Sequence, residues 1–450
     1  MGRLFGTDGI RGIANAELTC ELAMDVGRAA AAVLAEGYRR RPVFVVGTDT
    51  RTSSGMLSSA LIAGLCSVGA DVMDLGVIST PAVAYLMTKY KADAGVMISA
   101  SHNPAEFNGI KIFGGNGYKL PDALEERIED IILNHLALSD QPVGDAVGTV
   151  VRCTDCAKDY IMHLKSTVPN CLEGLRIAVD CANGSASVTA KTLFESLGAE
   201  AHILNDRPNG ANINQNCGST HMEGLSSYVR EHNLDCGIAF DGDADRCLAV
   251  DENGTVIDGD FIMAICALDM KKRGKLNRNA VVGTIMTNFG FGKFCEENGL
   301  KFVATKVGDR FVLEEMLMED YSFGGEQSGH VIFRDFATTG DGQLTAIQLL
   351  ALLKRQGCRL SQLTSVMRRY PQTIINVKVS NDAKRLFYTD TEITRVMEQA
   401  KEALGSDGRI VVRPSGTEPL IRVMAEGMDE DAIATQANAV AEIIRSRLGA

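Results

Sequence analysis

Three carboxylates fall within six residues in the segment Asp241-Gly-Asp-Ala-Asp-Arg246. At about 4 Å and an effective dielectric constant near 20, each pair of carboxylates repels by about 4 kcal/mol, so the cluster must spread, take up protons or hold a cation. Oxygen ligands favour magnesium or calcium over zinc. A polar turn before a strand has a similar composition, so the segment alone fits either interpretation. An EF-hand is excluded, because Arg246 stands where that loop needs glycine.

A second candidate segment is Ser99-Ala-Ser-His-Asn-Pro104, which follows the apolar run Gly95 to Ile98. Ser101 is a candidate nucleophile, and a serine can also carry phosphate with a charge near −2. A carboxylate cluster elsewhere makes sense if a metal ion joins it to a phosphorylated serine. Two alternatives stay open: a Ser/Asn turn ended by proline, and a Ser-His-Asp triad without the Gly-x-Ser-x-Gly elbow.

Two further loops combine hydroxyl groups with charged residues. In Arg413-Pro-Ser-Gly-Thr-Glu-Pro419, the hydroxyls, the glycine and the guanidinium groups of Arg413 and Arg422 suit a phosphate monoester, although a hairpin loop would look similar. In Gly325-Glu-Gln-Ser-Gly-His330, Glu326 and Ser328 could accept or donate hydrogen bonds to sugar hydroxyls or an amine, and His330 could move protons. Lys111 and Lys306 are single cations, and the sequence around each fits a structural or a functional interpretation.

Helices and strands must position these loops, and two arrangements of such elements recur along the chain. A strand, a polar turn and a helix recur at Val43 to Ser54, Leu175 to Ser187 and Ala280 to Gly292, with Leu57, Leu61 and Leu65 on one face of the first helix. In the second arrangement an apolar strand leads into a polar loop and then another strand: AGVMI, CGIAF and YSFGG precede the three loops. In α/β sheets such strand ends bind ligands, so three similar domains could surround one cleft.

The predicted fold class is α/β, with three similar α/β domains that have mixed sheets and a smaller C-terminal α+β domain around a central cleft. The C-terminal domain is predicted from strands at Thr373 to Val379, Arg409 to Arg413 and Leu420 to Ala425 and a final helix. The predicted domains are 1–155 with the serine loop, 156–255 with the metal loop, 256–369 with the sugar loop and 370–450 with the phosphate loop.

The composition narrows the classes of partner. The net charge of −12 and the lack of a long basic run argue against nucleic acid and anionic membranes. The amino-terminal residues lack the apolar core of a signal peptide, and twelve scattered cysteines are typical of reduced thiols, so we expect a cytoplasmic protein. Cys153 and Cys156 form one Cys-x-x-Cys pair, whose spacing fits a zinc or redox role or chance.

Five motifs in chain order resemble the α-D-phosphohexomutase family: Phe5-Gly-Thr-Asp-Gly-Ile-Arg-Gly12, the serine loop, the Asp241 loop, the Glu326 loop and the Arg413 loop. The resemblance spans nearly the whole chain. One departure is Ser99, where many members have threonine, and both residues are small and hydroxylated. The amino-terminal motif and Gln327 are similar to members of the family that act on glucosamine phosphates.

The resemblance implies roles for the candidate residues. Ser101 would be the phosphoserine, and one Mg²⁺ per chain would be bound by its phosphate together with Asp241, Asp243 and Asp245. General acid/base catalysis would fall to Lys111 and His330, and Arg11 would support the transferring phosphoryl group.

The resemblance also implies the substrate contacts. Arg246 would steady the phosphoserine region. The sugar would be bound by Lys306, Gly308, Asp309, Glu326 and Ser328. The phosphate that does not react would be bound by Arg413, Ser415, Gly416, Thr417 and Arg422.

The implied reaction interconverts glucosamine 6-phosphate and glucosamine 1-phosphate and so supplies amino-sugar nucleotide and cell-wall precursor synthesis. A sugar 1,6-bisphosphate would be the intermediate and activator, and the protein would be a monomer or homodimer. Alternatives are a phosphomannomutase or phosphoglucomutase of the same family, a metal-dependent phosphatase, and a non-catalytic protein that binds a divalent ion or a sugar phosphate.

Overall fold

The computed structural model describes residues 4–6, 8–36, 40–136, 142–169, 172–415 and 419–449. The chain divides into two compact units, Met1–Thr284 with Thr305–Ser365, and Ile285–Ala304 with Val366–Ala450. The domain boundaries near residues 155, 255 and 370 stay predictions.

The amino-terminal part of the first unit alternates strands and helices. Its elements are β1 (Ile10–Ile13), α1 (Cys20–Leu34), β2 (Val43–Thr48), α2 (Thr52–Ser67), β3 (Asp71–Val77), α3 (Thr80–Lys89), β4 (Ala94–Ile98), β5 (Phe107–Gly114), α4 (Asp122–Leu133) and β6 (Val150–Arg152). The strands form one mixed sheet in the order β1-β5-β4-β2-β3-β6. Helix α2 packs on this sheet through Leu57, Leu61 and Leu65, which are fully buried as the period of the sequence predicts.

The middle part of the chain builds a second mixed sheet. Its elements are α5 (Cys156–Ser166), β7 (Arg176–Asp180), α6 (Ala190–Ser196), β8 (Glu200–Leu204), α7 (Glu223–Glu231), β9 (Cys236–Phe240), β10 (Cys247–Asp251) and β11 (Val256–Ile257). The sheet order is β11-β10-β9-β7-β8. Strands β7, β8 and β9 are parallel, whereas β9 and β10 form an antiparallel hairpin.

The next part repeats the design. Its elements are α8 (Gly259–Lys272), β12 (Ala280–Thr284), α9 (Phe289–Glu297), β13 (Lys301–Thr305), α10 (Asp309–Met318), β14 (Phe323–Gly325), β15 (Val331–Phe333), α11 (Gly342–Gln356) and α12 (Leu360–Leu363). In the first unit β12 and β14 are parallel, and β14 and β15 form an antiparallel hairpin. The hairpins β4–β5, β9–β10 and β14–β15 are the predicted strand–loop–strand repeats.

Two predicted elements differ in detail from the structure. The strand predicted from Tyr321 begins only at Phe323, because the N–H of Tyr321 donates to the carbonyl of Met316 at the end of α10, at 2.9 Å, rather than to a neighbouring strand. After β7 the chain first makes a short 3₁₀ turn, Ser185–Val188, before α6 begins at Ala190.

The C-terminal part has the predicted α+β composition. Its elements are β16 (Gln372–Lys378), α13 (Asn381–Leu386), α14 (Thr391–Leu404), β17 (Gly408–Pro414), β18 (Leu420–Gly427) and α15 (Glu430–Leu448). The antiparallel sheet has the order β16-β18-β17. Its face is covered by α15 through the predicted core residues Ile433, Ala437, Val440 and Ile444, all at most 1% exposed.

The chain is therefore an α/β protein with mixed sheets and a small C-terminal α+β domain, as the sequence predicts. Within the part of the chain that the structure describes, every helix is too short or too polar to traverse a bilayer.

Candidate active site

Ser101 lies in the turn of the β4–β5 hairpin, with 1% of its surface exposed. Its hydroxyl donates to Oδ2 of Asp241 at 2.6 Å. The imidazole Nδ1 of His102 is 3.4 Å away, so the hydroxyl is directed to a carboxylate and not to a histidine base. Burial first, and then the charges of Arg246 and Arg11, lower the pKa of His102 to about 4. This arrangement does not have the hydrogen bonding of a Ser-His-Asp triad.

The three aspartates of the β9–β10 turn converge on one point. Asp241, Asp243 and Asp245 are at most 4% exposed, and one oxygen from each lies within 4.8 Å of the others. Atoms Oδ1 of Asp243 and Oδ1 of Asp245 are buried without a hydrogen-bond partner among the described residues. Buried carboxylate oxygens that lack donors fit a divalent cation with oxygen ligands.

The surroundings of the cluster shift the pKa values of Asp241 and Asp245 in opposite directions. Burial, together with the neighbouring Asp245 and Asp243, raises the pKa of Asp241 well above its usual range. For Asp245 burial acts in the same direction, but the charge of Lys111 and the hydrogen bond to His330 prevail and lower the pKa well below its usual range. The cluster therefore relieves its repulsion partly through adjacent cations.

Lys111 reaches the aspartates from β5. Its Nζ lies 3.5 Å from Oδ2 of Asp243 and 3.4 Å from Oδ2 of Asp245. Because side chains alternate along a strand, Ile110 and Ile112 point into the hydrophobic core while Lys111 points to the other face. Burial lowers the pKa of Lys111, but the surrounding aspartates outweigh this effect and raise it, so the side chain is a cation.

His330, the last residue before β15, is 3% exposed. Its Nδ1 lies 3.6 Å from Oδ2 of Asp245, and its Nε2 accepts the N–H of Gly340 at 3.1 Å. Burial disfavours the cation, but the hydrogen bond and charge of Asp245 prevail and raise the pKa to about 9. The raised pKa by itself would make the ring a cation at neutral pH, but the bond from Gly340 requires a lone pair on Nε2, so the geometry fits the neutral tautomer with hydrogen on Nδ1. A cation on Asp245 would oppose protonation and favour that tautomer.

Two arginines bring positive charge to the same place. Arg11 on β1 lies 3.2 Å from Oδ2 of Asp8 through Nη2, and Nε of Arg246 lies 3.9 Å from Oδ1 of Asp245. Burial raises the pKa of Asp8, but Lys111 and Arg11 outweigh it and lower the pKa. No role was predicted for Asp8 from the sequence, although it belongs to the same amino-terminal motif as Arg11.

The predicted sugar loop is built around Glu326. The N–H of Gly308 donates to its Oε1 at 3.1 Å, and burial raises its pKa. Asp309 lies 3.8 Å from Nε2 of His330 through Oδ2. The hydroxyl of Ser328 is buried without a partner among the described residues, so it is available for a polar ligand.

Lys306, which was predicted to bind the sugar, places its Nζ over the ring of Phe311, 5.7 Å from the centroid. The backbone turns sharply after it, since Gly308 has φ = 130°.

A cavity of about 300 Å³ opens beside these residues. Its lining includes Asp8, Lys111, Asp245, Asp309 and His330. The volume is at the lower end of the range for small-molecule sites. The metal and sugar loops of the first unit therefore border this cavity through Asp245 and His330, and Ser101 lies behind them, bonded to Asp241.

The predicted phosphate loop belongs to the second unit. Arg413 on β17 and Arg422 on β18 are directly paired across the sheet. Burial and the charge of Arg422 lower the pKa of Arg413, whose Nε has no hydrogen-bond partner among the described residues. Like charges that face each other across a sheet are destabilising unless an anion lies between them. The N–H of Ser415 donates to Leu420, whereas Gly416 and Thr417 lie outside the described residues.

Several residues that support the site were not identified from the sequence. Thr80 bonds Asp243, Arg51 bonds the serine loop, and Asn214 bonds the carbonyl of Ser101. For Arg51 the sequence did contain a signal, because this residue lies in the polar run that follows β2. Ligands and the residues that support them collect at the ends of parallel strands. Thr80 and Asn214 gave no such signal.

Family models match four successive parts of the chain. They are described as Phosphoglucomutase/phosphomannomutase alpha/beta/alpha domain I at residues 2–138, domain II at 158–254, domain III at 258–370 and the C-terminal domain at 374–443. The chain belongs to the phosphoglucomutase/phosphomannomutase family, and it is an isomerase of the phosphohexomutase type. The resemblance read from the five motifs is confirmed.

Individual relatives are similar to this chain over its whole length. The phosphoglucosamine mutase of Thermoanaerobacter sp. (strain X514) is 54% identical over 448 residues, covering 100% of both chains. That of Clostridium novyi (strain NT) is 51% identical over 450 residues, again with full coverage of both. A phosphoglucomutase/phosphomannomutase family protein from Burkholderia thailandensis has the same fold, with a TM-score of 0.84, 23% identity and coverage of 98% and 97%.

Proposed function

We propose that this protein interconverts glucosamine 6-phosphate and glucosamine 1-phosphate, with Ser101 as the phosphoryl carrier. The observation that carries the proposal is the hydrogen bond of 2.6 Å from the Ser101 hydroxyl to Asp241, inside a cluster of three aspartates. The full-length relatives named phosphoglucosamine mutase support the choice of sugar.

We further propose that the cation is Mg²⁺, bound by one oxygen each from Asp241, Asp243 and Asp245 and by the phosphate on Ser101. The purely oxygen donor set supports magnesium over zinc. Such an ion would neutralise charge on the phosphoryl oxygens during transfer. A complex of N-acetylphosphoglucosamine mutase from Aspergillus fumigatus is described with GlcNAc-6P and magnesium; that chain has 18% identity and a TM-score of 0.69, with coverage of 98% and 95%.

In the first half of the proposed reaction the bond between phosphorus and Oγ of Ser101 breaks, Oγ takes up a proton, and a new bond forms between phosphorus and the 1-hydroxyl oxygen of the sugar. The proton of that hydroxyl passes to a base, for which neutral His330 is the candidate beside the cavity, whereas Lys111, as a cation, is a candidate general acid. Arg11 and Arg246 would hold the phosphoryl oxygens. The product of this half is the 1,6-bisphosphate.

In the second half the bisphosphate turns over, the bond between its 6-phosphoryl group and the 6-oxygen breaks, and a bond forms from phosphorus to Oγ of Ser101, which gives up its proton while a proton is delivered to the 6-oxygen. The sugar is proposed to be contacted in both orientations by the same residues, namely Lys306, Gly308, Asp309, Glu326 and Ser328. The phosphate that does not react is proposed to bind Arg413, Ser415, Gly416, Thr417 and Arg422, a set whose arginine pair suits a dianion. The cytoplasmic location and the monomeric or dimeric state stay predictions.

A comparison of specificity constants tests the choice of substrate. Purified protein is assayed with the 6-phosphates of glucosamine, glucose and mannose, and released inorganic phosphate is measured in parallel. We expect the highest kcat/KM for glucosamine 6-phosphate and almost no free phosphate, because a mutase conserves the phosphoryl group. A higher value for glucose or mannose would favour the other activities of the family. Stoichiometric phosphate release would indicate a phosphatase, which family membership does not support.

A further inference from the structure

Arg51 stands between β2 and α2, and neither its side chain nor that of Asp49 has any exposed surface. Its Nε donates to Oδ2 of Asp49 at 2.8 Å. Its two Nη atoms donate to three backbone carbonyls of the serine loop, those of Ser101 (3.0 Å), Asn103 (2.8 Å) and Pro104, and to that of Phe107 (3.0 Å), the first residue of β5.

A guanidinium group has five N–H donors in a fixed plane, and here every one has an acceptor. Four of the five bond the segment from Ser101 to Phe107, which joins β4 to β5. A lysine ammonium has three donors and no planar fork, so it could not reproduce this pattern. The geometry therefore depends on arginine and not merely on positive charge.

Asp49 fixes the orientation of Arg51 and also supports the loop from its other side. It accepts hydrogen bonds from the hydroxyls of Ser54 and Ser99, each at 2.7 Å. The oxygen of Ser99 in turn accepts the N–H of Ser101 at 2.9 Å. The backbone of Ser101 is thus held at its N–H through Asp49 and at its carbonyl through Arg51.

The carbonyl of Ser101 has a second donor from the neighbouring domain. Nδ2 of Asn214 lies 2.9 Å from that oxygen and 3.1 Å from the carbonyl of Asn103. Gly242 packs against the same oxygen, and a Cβ at this position would lie 2.6 Å from it.

These contacts surround a backbone conformation that serine adopts with difficulty. Ser101 has φ = 53°, in the left-handed region where an L side chain meets its own carbonyl. Such a conformation persists only where neighbouring groups hold it, and it is often found where a side chain must point in one direction. In this conformation the hydroxyl of Ser101 meets Asp241.

We propose that Arg51 is a positioning residue for phosphoryl transfer, which it serves by holding the left-handed backbone of Ser101 through the carbonyls of the serine loop. This inference rests on the proposed function of Ser101 as the phosphoryl carrier. Arg51 itself is not a catalytic residue, because its donors are all used by Asp49 and by backbone oxygens.

The test compares Arg51→Lys with Arg334→Lys. Arg334 is a matched control, since its side chain is 17% exposed and also bonds a backbone carbonyl, that of Met316, at 3.2 Å. We expect Arg51→Lys to lower kcat by about 10- to 100-fold with KM within about twofold, because the reacting oxygen is misplaced while the substrate contacts remain. The control variant should keep both constants.

Hydrogen exchange measured by mass spectrometry gives a readout that does not depend on activity. Amides of residues 99–107 should exchange about 10-fold faster in Arg51→Lys, while those of β2 should not change. If exchange accelerates but the wild-type protein has no mutase activity, the proposed function fails and the structural role of Arg51 stands. A folded Arg51→Lys variant with normal kcat, or with raised KM alone, would overturn the inference.

Asn214→Ser covers the case in which Arg51→Lys does not fold. It removes the other donor to the carbonyl of Ser101 and leaves Arg51 in place. We expect a smaller effect than for Arg51→Lys but of the same kind. The value of kcat should fall by about 3- to 10-fold with little change in KM. Unchanged kcat together with unchanged exchange of residues 99–107 would count against the inference.

Discussion

Thr80, the first residue of α3, donates its hydroxyl to Oδ2 of Asp243 at 2.6 Å and its N–H to the backbone carbonyl of Asp243 at 3.0 Å. Two hydrogen bonds thus hold one metal-ligand candidate from the neighbouring domain. Groups that orient a metal ligand typically affect metal affinity by about 10- to 100-fold.

Thr80→Val removes the hydroxyl and keeps the shape of the side chain. We expect the magnesium concentration for half-maximal activity to rise by about 10-fold, with little change in the maximal rate. Titration of activity with MgCl₂ measures this value. Thr80→Ser keeps the donor and should behave as wild type; equal titrations for Val and Ser would show that the hydroxyl does not orient Asp243.

Ser101→Ala removes the proposed phosphoryl carrier without disturbing the core, since only one oxygen is lost. Mutase turnover should fall below detection while the thermal unfolding midpoint stays close to that of wild type. Intact mass should show a phosphatase-sensitive increment of about 80 Da, one phosphoryl group, in wild type and none in the variant. Ser59→Ala, on the exposed face of α2, serves as the control. Near-normal turnover by Ser101→Ala would exclude the phosphoserine mechanism.

Gly340→Ala should displace His330. A Cβ at this position would lie 2.4 Å from Nε2 of the imidazole ring, so the ring must move. We expect kcat to fall by about 10-fold or more, because a catalytic group shifted by about 1 Å loses much of its effect. Gly224→Ala is the matched control, since nothing lies within 4 Å of its added methyl group. Equal kcat for the two variants would argue against a catalytic role for His330.

Asp341 predicts a pH dependence of stability. Burial raises its pKa from 3.8 to about 6, although the N–H of Leu344 and the hydroxyl of Tyr160 donate to it. Since the folded state holds the proton more tightly than the unfolded chain, this stabilisation is complete below pH 4 and is lost as the pH rises through 6. The shift corresponds to about 3 kcal/mol of unfolding free energy.

Asp341→Asn keeps the acceptor for Leu344 but cannot ionise. Urea unfolding of both proteins between pH 4 and 7 measures the effect. We expect the wild type to lose about 2 kcal/mol relative to the variant across this range, since part of the full effect falls below pH 4. Stability curves that stay parallel would mean that Asp341 does not carry the predicted proton.

The local patterns in the sequence predicted most of the fold. The spacing of Leu57, Leu61 and Leu65 gave a buried helix face, and the apolar runs before each polar loop gave the strands β4 and β9. These predictions succeed because side-chain periodicity is a local property of the chain. The strand predicted from Tyr321 was too long, because its N–H is used by a helix end rather than by a sheet.

The site could be predicted only where its residues lie together in the chain. The aspartate triplet and the loops of Ser101 and Glu326 were found in this way. Thr80 lies 163 residues from Asp243, and Asn214 lies 113 residues from Ser101. Nothing in the local composition of a lone threonine or asparagine indicates a partner that far away, so these contacts required the structure.

The serine, metal and sugar loops are each the turn of a hairpin, and this restricts how the site can change. Lys111 faces the aspartates because it pairs with Met97 in the register of β4 and β5. Removing one residue from β5 would turn Lys111 toward the core and bring Ile110 or Ile112 to the site. Exchange of side chains at fixed positions would therefore keep this face of β5 toward the aspartates, whereas a change of one residue in the length of β5 would reverse it.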